Sequence, residues 1–595
     1  MFKYVSWRKT VPVSFPISRL FILRQHSALT RNFEVEMTAR DSAKSKQRQS
    51  SRWRGTGKPT QKSRKLHTET AHAHNESANE PGNESSSPSS VAQVIKGSSA
   101  PLTIPLSSDQ PKFIDLMEGR LVHPTLLRTI TEDLKFEHMT PVQAATLRPI
   151  LTDRSDILAQ AKTGTGKTVA FLLPALQNLV NRTDVRPGSA VSLLVITPTR
   201  ELALQIATEA KALLQRLPQY KVCIAIGGTN KDVEERRILK GCDILIGTPG
   251  RLYDHLGGDE SPVVEKLQQL DTLVLDEADR LLDMGFLPSL KQIVGCLPNR
   301  AVKPRQGMLF SATVPEYVSK VSGLVLSKEH KYISTIQKGD TNTHERVPQQ
   351  LITVPEFSDV AAALLGALRQ ELREVGAETF KAIVFAPTAA QVNFYTEVFQ
   401  QFPDLPPILA LHARMTQSKR TNVTEQYRQA RSGIMIATDV IARGMDFPAV
   451  TNVFQVGIPS DKESYVHRLG RTARAGAEGR GSFIISAHET WFSKWELKDI
   501  DFNERPADLS AQDDIQRIAV QMDSQGKTYQ AWLGFYKSYV KRMGWDNVRL
   551  VAEANKYALQ GLGAAEVPSL EKTIIGKMGL RGVRGLTVIK NRPRQ

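Results

Sequence analysis

Hydrophobic residues occur in two blocks of the chain, and within each block short apolar runs alternate with longer segments of helical period. Runs that are apolar at successive positions are typical of strands buried on both faces, and helices between them favour a doubly wound parallel sheet. We therefore predict an α/β domain over 111–336, with ligands gathered at the carboxyl ends of its strands. Its strand-like runs are 193–197, 222–228, 242–248, 270–279 and 306–313.

The second block follows a polar linker, predicted over 337–350, and indicates a second α/β domain over 351–488. It contains no glycine-rich phosphate loop, so any nucleotide chemistry must be shared with the first domain. Its strand-like runs are 351–355, 382–388, 408–413, 434–440, 450–457 and 481–487.

The chain after residue 488 has two parts. Residues 489–571 have a helical pattern rich in Trp and Tyr, and aromatics at that spacing more often form a core than a base-stacking platform. We predict a helical extension packed on the second domain. Every charged side chain in 572–595 is basic, which favours a flexible nucleic-acid tether; a solvated terminus without a partner is the alternative.

The N-terminal segment 1–35 is basic and has no acidic residue before Glu34. This composition is typical of an organellar transit peptide, and we predict a mitochondrial one with residence in the mitochondrial matrix. A merely disordered basic terminus is one alternative. Residence in the nucleus or nucleolus is another, because 44–65 is also rich in Lys and Arg. Residues 36–110 are low in apolar content, and we expect them to be disordered.

Composition narrows the functional classes. The chain has 78 Lys and Arg against 61 Asp and Glu, a net charge of +17, which favours a polyanionic partner or a basic tail. Its three cysteines have neither metal-site spacing nor the density of a disulfide framework, so we expect reduced thiols. No apolar run approaches the length of roughly 18 residues that a membrane span needs, and we expect no membrane partner.

A glycine-bearing turn, LAQAKTGTGKT at 158–168, joins a predicted strand to a predicted helix. Backbone N–H groups in such a turn converge on phosphate oxygens, the lysine adds charge, and the hydroxyl can hold Mg²⁺. Ala161 stands where the usual pattern has glycine, and a glycine-rich turn beside a surface lysine is the alternative. The predicted phosphate-binding residues are Ala161, Lys162, Thr163, Gly164, Thr165, Gly166, Lys167 and Thr168.

Two acidic residues, Asp276 and Glu277, end the buried run LVLDEAD. Asp276 is suited to hold Mg²⁺ together with Thr168, and Glu277 to orient and deprotonate a water in line with the γ-phosphate. Ordinary loop acids are the alternative.

Three arginines, Arg468, Arg471 and Arg474, recur every three residues in the second domain. They can stabilise the charge of a phosphoryl-transfer transition state across a cleft, or form a surface stripe.

The ordered set of motifs over about 113–487 resembles the DEAD-box ATP-dependent RNA helicases of superfamily 2. That family starts its phosphate loop with alanine, and it usually has glycine where this chain has Ala473. The basic termini and helical extension resemble its fungal mitochondrial branch, which assists intron splicing and acts as an RNA chaperone. The motifs are MTPVQ (139–143), AKTGTGKT (161–168), PTREL (198–202), GG (227–228), TPGR (248–251), DEAD (276–279), SAT (311–313), ATDVIARGMD (437–446) and HRLGRTAR (467–474).

The resemblance implies two tandem RecA-like parallel-sheet domains and the following site residues. Adenine readers are Phe136, Thr140 and Gln143, with Phe113 covering the ring and Asp446 at the ribose. Catalytic residues are Lys167, Asp276, Glu277, Arg471 and Arg474. Hydrolysis is coupled to strand separation by Asp279, Ser311, Thr313 and His467. RNA backbone contacts are Pro198, Thr199, Arg200, Gly228, Thr248, Gly250, Arg251, Gln417, Arg420 and Thr438.

The function so implied is RNA-stimulated ATP hydrolysis with Mg²⁺, in which domain closure bends one strand and locally unwinds a short duplex. Binding should be largely independent of sequence and sensitive to salt, because most contacts go to phosphates and sugars. We expect a monomer. Three alternatives stay open: an ATP-dependent RNA clamp, a nuclear ribosome-biogenesis helicase, and a DNA helicase or translocase.

Overall fold

The computed structural model describes residues 102–103, 111–258, 261–336, 347–441, 445–473 and 478–590. The predicted transit peptide (1–35) lies outside these ranges, as do nearly all of the segment 36–110 and most of the linker. Arg474 also lies outside them.

The first domain is built on an eight-stranded parallel sheet with the order β1-β8-β2-β7-β6-β3-β5-β4. The central strands are buried on both faces, as their continuous apolar runs predict. The strands are β1 (Leu102–Thr103), β2 (Ile157–Gln160), β3 (Leu193–Ile196), β4 (Val222–Ala225), β5 (Ile244–Gly247), β6 (Thr272–Asp276), β7 (Gln306–Ser311) and β8 (Lys331–Ser334).

Helices cover both faces of this sheet, and several begin at side chains that accept a backbone N–H. Thr199 and Asn230 do so for the helices that follow them. The helices are α1 (Pro124–Arg128), α2 (Pro141–Asp153), α3 (Lys167–Asn181), α4 (Arg200–Leu213), α5 (Lys231–Lys240), α6 (Pro249–Leu256), α7 (Pro262–Lys266), α8 (Ala278–Asp283), α9 (Leu287–Gly295) and α10 (Glu316–Val325).

The second domain has a seven-stranded parallel sheet with the order β11-β12-β10-β13-β14-β9-β15. Its strands are β9 (Gln349–Val354), β10 (Lys381–Phe385), β11 (Ile408–Leu411), β12 (Gly433–Ala437), β13 (Asn452–Val456), β14 (Arg480–Ser486) and β15 (Asn503–Arg505). Its helices are α11 (Val360–Val375), α12 (Ala389–Phe399), α13 (Gln417–Gln429) and α14 (Lys462–Leu469). The two parallel sheets confirm the predicted tandem RecA-like fold.

The C-terminal extension contributes β15 to the second sheet, although its residues are predicted as helical. This edge strand pairs with β9. The remaining elements are α15 (Gln512–Ala519), α16 (Gln525–Lys537), α17 (Asn547–Lys556), α18 (Lys572–Lys577), β16 (Leu570–Glu571) and β17 (Val588–Ile589).

The basic tail differs from the flexible tether predicted for it. Up to residue 590 it is folded, because Ile575 and Leu580 are buried in the same apolar core as the extension. Its charged side chains stay on the surface. Within the described part of the chain, no helix is both long and apolar enough to cross a membrane.

Candidate functional site

The phosphate loop lies between β2 and α3, at the carboxyl end of the first sheet. Gly164 and Gly166 have left-handed φ angles of +76° and +89°, which glycine adopts without strain. The ammonium of Lys167 donates to the carbonyl oxygen of Ala161 at 2.9 Å and closes the loop on itself. Because α3 begins at Lys167, its first N–H groups face this loop, an arrangement that binds phosphate oxygens.

Gln143 ties the phosphate loop to α2. Its side-chain nitrogen donates to the carbonyl oxygen of Gly166 at 3.0 Å, and its side-chain oxygen accepts from the N–H of Thr140 at 2.9 Å. A Cβ at position 166 would lie 2.6 Å from that nitrogen, so the close approach requires glycine. The amide keeps a second N–H and a second lone pair, which is what the predicted adenine contact needs.

The aromatic side chain expected to cover the adenine is not available in this structure. Phe113 is 1 % exposed and belongs to the apolar core of the first domain. A ring so buried has no face open to a base, so the structure does not support that role. Phe136 is half-buried against the same core, and its predicted adenine contact stays a prediction.

The first two acids of the DEAD motif are both buried at the end of β6. The N–H of Glu277 donates to Asp276 Oδ1 at 3.0 Å. Burial, followed by the negative charge of Glu277, raises the pKa of the Asp276 carboxyl to about 7, although the positive charge of Lys167 opposes this shift. Glu277 has φ +51° and ψ +56°, a left-handed conformation that is uncommon for a residue with a side chain.

Another acidic side chain, Glu209 on α4, lies close to Asp276 and Thr168 and is absent from the predicted site. Its carboxylate accepts a hydrogen bond from the amide of Gln205 at 3.1 Å and another from the hydroxyl of Thr168. Burial raises the pKa of Glu209 to about 7, and the negative charge of Asp446 in the second domain adds to the rise. The available signal was a carboxylate two helical turns after Glu201 on a largely apolar helix.

The oxygens of Thr168, Asp276 and Glu209 fit Mg²⁺, which prefers hard oxygen ligands. The pKa values of both carboxyls are raised to about 7, which is how acids respond to burial and crowding without a compensating cation. A divalent cation would remove that unfavourable charge. Metal binding by Thr168 and Asp276 stays a prediction, and Glu209 lies close enough to both to interact with them.

Three of the predicted coupling residues form one hydrogen-bonded group between β6 and β7. The N–H of Asp279 donates to the hydroxyl of Ser311 at 3.2 Å. The N–H and the hydroxyl of Thr313 both donate to Asp279 Oδ2, at 3.2 and 3.0 Å. His467, the fourth residue, is buried on α14 of the second domain. The DEAD and SAT motifs are thus in direct contact, as neighbouring parallel strands require.

The arginines of the second domain are buried, which excludes an exposed basic stripe for the two that the structure describes. Arg471 donates to the carbonyl oxygens of His467 at 3.2 Å and Met445 at 2.7 Å. Arg468 makes a two-pronged ion pair with Asp439, with distances of 2.7 and 2.8 Å. Both side chains are therefore held in fixed orientations within their own domain.

Ala473 has a left-handed φ of +52°, at the position where the family usually has glycine. For a residue with a Cβ this conformation costs roughly 1–2 kcal/mol. The methyl group is accommodated, but it is strained, which the sequence comparison alone does not reveal.

The two domains touch next to the phosphate loop. The guanidinium of Arg280, which follows the DEAD motif, donates to the carbonyl oxygen of Asp439 at 3.0 Å. A Cβ at Gly470 would lie 3.5 Å from the hydroxyl of Thr163, so the second domain reaches the loop itself. The cleft between the two domains is therefore closed in this structure.

A second contact between the domains involves two residues predicted to bind RNA. Arg420 Nη2 and Glu201 Oε2 are 2.5 Å apart in an ion pair whose two side chains are each 4 % exposed. The amide of Gln417 donates to the other oxygen of Glu201 at 3.3 Å. In this conformation Arg420 and Gln417 join the domains through Glu201, a residue that is absent from the predicted site.

The other predicted RNA residues line the same face at the ends of β3, β4, β5 and β12. Gly228 and Gly250 are exposed, and Arg200 and Thr438 are half-exposed. The guanidinium of Arg200 covers the glycine pair, because a Cβ at Gly228 would lie 2.5 Å from its Nη1 atom. Pro198, Thr199 and Thr248 are buried, and their predicted RNA contacts stay predictions.

Two tandem parallel sheets, of which the first carries a phosphate loop and paired acids and meets the second across a closed cleft, define a two-domain nucleoside triphosphatase of the helicase type. The DEAD/DEAH box helicase family matches residues 140–321, and the helicase conserved C-terminal domain matches residues 364–476. With the relatives described next, these matches show that the chain belongs to the DEAD-box RNA helicase family.

Two fungal relatives and one solved structure resemble this chain over most of its length. The mitochondrial ATP-dependent RNA helicase MSS116 of Phaeosphaeria nodorum is 42 % identical over 466 residues, 77 % of this chain and 84 % of that protein. The mitochondrial relative mss116 of Aspergillus oryzae is 40 % identical over 503 residues, 82 % and 78 % of the two chains. Mss116p bound to ssRNA and AMP-PNP has a TM-score of 0.72 at 30 % identity, covering 83 % of this chain and 100 % of that one.

Proposed function

We propose that this chain is an ATP-dependent RNA helicase and RNA chaperone of mitochondria that locally unwinds short duplexes, structured introns among them, as a monomer. The observation that supports the proposal is the closed cleft, in which the second domain touches the phosphate loop at Thr163 and the residue after the DEAD motif, Arg280. The names of the two fungal relatives support both the activity and the compartment.

ATP binding is assigned to the first domain. The N–H groups of the phosphate loop and the ammonium of Lys167 hold the β- and γ-phosphates, and Gln143 with Thr140 and Phe136 holds the adenine. Asp446 approaches Glu209 from the second domain and is assigned to the ribose. Because the nucleotide touches both domains, its binding favours closure.

Hydrolysis is assigned to the acids of the DEAD motif in the first domain and to two arginines of the second domain. A carboxylate oxygen of Glu277 orients the attacking water and takes its proton, while Arg471 and Arg474 stabilise the charge that develops on the transferred phosphoryl group. Mg²⁺, held by Thr168 and Asp276 with Glu209 beside them, would neutralise phosphate charge. The group formed by Asp279, Ser311 and Thr313 connects these events to His467 and the RNA face.

Strand separation follows from closure. An RNA strand that lies across both domains is held by backbone groups near Gly228 and Gly250 and by Arg200 and Thr438, with little reading of bases. When the cleft closes on ATP, the strand must follow the surface of both domains, and a bent strand no longer fits a regular duplex. Hydrolysis and product release then reopen the cleft.

The deciding experiment compares ATP hydrolysis by the full chain with and without single-stranded RNA, for the wild type and for Glu277→Gln. We expect RNA to stimulate the wild type, and the variant to lose activity by at least about a hundredfold while it still binds ATP. Wild-type turnover by Glu277→Gln would overturn the mechanism. Stimulation of ATP hydrolysis by DNA to the same extent as by RNA would instead support the alternative of a DNA helicase or translocase.

A duplex-release assay separates the helicase from an RNA clamp. Release of a short labelled strand that requires ATP supports the helicase, whereas long-lived ATP-dependent complexes without release support the clamp.

The compartment is tested with residues 1–60 fused to a fluorescent reporter. A nuclear or diffuse signal would contradict mitochondrial import.

A further inference from the structure

A buried carboxylate next to the proposed RNA face collects hydrogen bonds from two separate segments. Glu234 on α5 accepts from the N–H of Ile226 at 3.3 Å and from the hydroxyl of Thr229, both on the loop after β4. It also accepts from Arg251 Nη1 at 2.7 Å and pairs with His255 Nε2 at 3.0 Å, both on α6. Its side chain is 7 % exposed.

Arg251 belongs to the TPGR motif and is predicted to bind RNA, but its guanidinium points into the protein. Besides Glu234, it donates to the carbonyl oxygen of Thr229 at 3.1 Å and lies 3.5 Å from a carboxylate oxygen of Asp254. Each of its three nitrogens therefore faces an oxygen of the protein, and the side chain is 11 % exposed. The positive charge of Arg251 is therefore paired with groups of the first domain itself.

The two segments that meet at Glu234 are the ones that carry the exposed glycines of the RNA face. Thr229 directly follows Gly228, which has a left-handed φ of +86°. Arg251 directly follows Gly250, near the start of α6, where nothing lies within 4 Å of a Cβ position. Glu234 itself is buried, and it contacts the residues that directly follow both glycines.

We propose that Glu234 is a positioning residue for RNA: through Arg251 and Thr229 it fixes the spacing between the loop at Gly228 and the start of α6, so that their backbone donors present one surface to the sugar-phosphate chain. This inference rests on the proposed RNA helicase function. Neither Glu234 nor Arg251 touches RNA, and the contacts they align come from neutral backbone groups.

The electrostatics of the Glu234 carboxyl agree with a group that stays ionised and holds the two segments together. Burial alone would raise the pKa of the Glu234 carboxyl, but the hydrogen bonds from His255, Thr229 and Arg251 outweigh burial and hold the pKa below its usual range. A carboxylate that remains ionised keeps all of its acceptor sites, whereas a protonated one would lose a site to its own O–H. Removing it would leave the Arg251 guanidinium buried without its main partner.

The test measures single-stranded RNA affinity by fluorescence anisotropy in the presence of AMP-PNP, for Glu234→Ala, Glu234→Gln and the neighbouring control Glu235→Ala. We expect Glu234→Ala to weaken RNA binding about tenfold, as expected when roughly one buried charge-assisted contact is lost, with less than about a twofold change in AMP-PNP affinity. Glu234→Gln keeps the shape of the side chain but removes its charge and one acceptor oxygen, so it should weaken RNA binding to a similar extent. Glu235→Ala should match the wild type.

The salt dependence of RNA binding distinguishes a positioning role of Arg251 from a direct contact of its guanidinium with a phosphate. A residue that neutralises a phosphate contributes about 0.7 to the slope of log Kd against log salt for a single strand. We expect Arg251→Gln to weaken RNA binding with an unchanged slope, because neutral donors release no counterions. Arg200→Gln removes the half-exposed arginine that is predicted to contact phosphate, so it should lower the slope and serves as the positive control.

Two results would overturn the inference. One is RNA affinity of Glu234→Ala equal to that of the wild type, and the other is a slope reduced by about 0.7 in Arg251→Gln. If Glu234→Ala fails to fold, as judged by thermal unfolding, Glu234→Gln and Arg251→Gln give the same comparison. Wild-type protein that shows no RNA-stimulated ATP hydrolysis would instead refute the proposed function itself.

Discussion

The second domain has two very different neighbours. Toward the first domain it offers polar contacts: the Glu201–Arg420 ion pair, the Arg280–Asp439 hydrogen bond and the close approach of Gly470 to Thr163. Toward the extension it shares a continuous apolar core, in which the ring of Phe357 lies 4.9 Å from those of Trp532 and Tyr536.

The difference indicates which interface opens. Polar groups that part can be rehydrated, whereas separating a large apolar surface costs about 25 cal/mol for each Å² exposed. At the start of the extension, the buried carboxylate of Glu489 accepts from the hydroxyl of Tyr536 at 2.7 Å and from the N–H of Ile458 in the second domain at 3.2 Å, a link that water would not easily replace. The moving units are therefore the first domain on one side, and the second domain with its extension on the other.

The largest effect is expected from breaking the apolar interface. Trp532→Ala removes a ring that is 1 % exposed and should lower the free energy of unfolding by about 3–5 kcal/mol. Urea denaturation followed by fluorescence measures this loss. Trp495→Ala is the control, because its ring is 69 % exposed and its removal should change stability by less than about 0.5 kcal/mol. Equal losses in both variants would contradict an extension held by its core.

A smaller effect, and on a different equilibrium, is expected from the polar interface. Glu201→Ala leaves Arg420 without its partner only while the cleft is closed, so it should shift the open–closed equilibrium by about 2 kcal/mol, roughly thirtyfold. Energy transfer between dyes on the two domains, with AMP-PNP and RNA bound, measures closure. Urea unfolding should change little. The exchange of charges in Glu201→Arg with Arg420→Glu should restore part of the closure, and unchanged closure in Glu201→Ala would refute the role of this pair.

The cleft should also respond to pH. Asp276 and Glu209 each have a pKa raised to about 7, so in the absence of metal their protonated forms stabilise the fold, and that contribution is lost as the pH rises through 7. Mg²⁺ requires the ionised carboxylates. Lowering the pH from 8 to 6 should therefore weaken Mg²⁺-dependent nucleotide binding by about tenfold for one such group. Calorimetric titration measures this, and a flat pH profile would contradict the assignment.

The smallest effect is expected from ion pairs at the rim of the extension. Lys556 pairs with Glu356 at 2.7 Å, but both side chains are about a third exposed. Lys556→Met should change the free energy of unfolding by less than about 1 kcal/mol, as measured by the same urea denaturation used for Trp532→Ala. A loss comparable to that of Trp532→Ala would mean that charge, and not the aromatic core, attaches the extension.

The sequence predicts the sheets and the nucleotide residues because both have local signals. Buried parallel strands read as apolar runs, and the phosphate loop, the DEAD motif and the SAT motif are each continuous in the chain. β15 has no such signal, since Asn503, Glu504 and Arg505 contain no apolar residue and pair only as an edge strand. The folded tail was missed because its two anchoring residues, Ile575 and Leu580, stand among glycines and lysines.

The missed parts of the site depend on contacts between distant segments. Whether Arg251 and Arg420 face RNA or a carboxylate is decided by where Glu234 and Glu201 lie after folding and closure, and nothing local in the sequence reports that. Glu209 likewise gains its meaning only when α4 packs beside β6 and the second domain brings Asp446 near it. Residue type indicates what a side chain can bind, and the tertiary structure selects the partner.

The left-handed backbone of Glu277 has a consequence for engineering and evolution. Glycine would relieve the backbone strain at that position by roughly 1 kcal/mol. Selection of a variant library for thermal stability alone should therefore enrich Glu277→Gly, which would be more stable but unable to hydrolyse ATP. The same residue is therefore a point where selection for folding and selection for turnover pull in opposite directions.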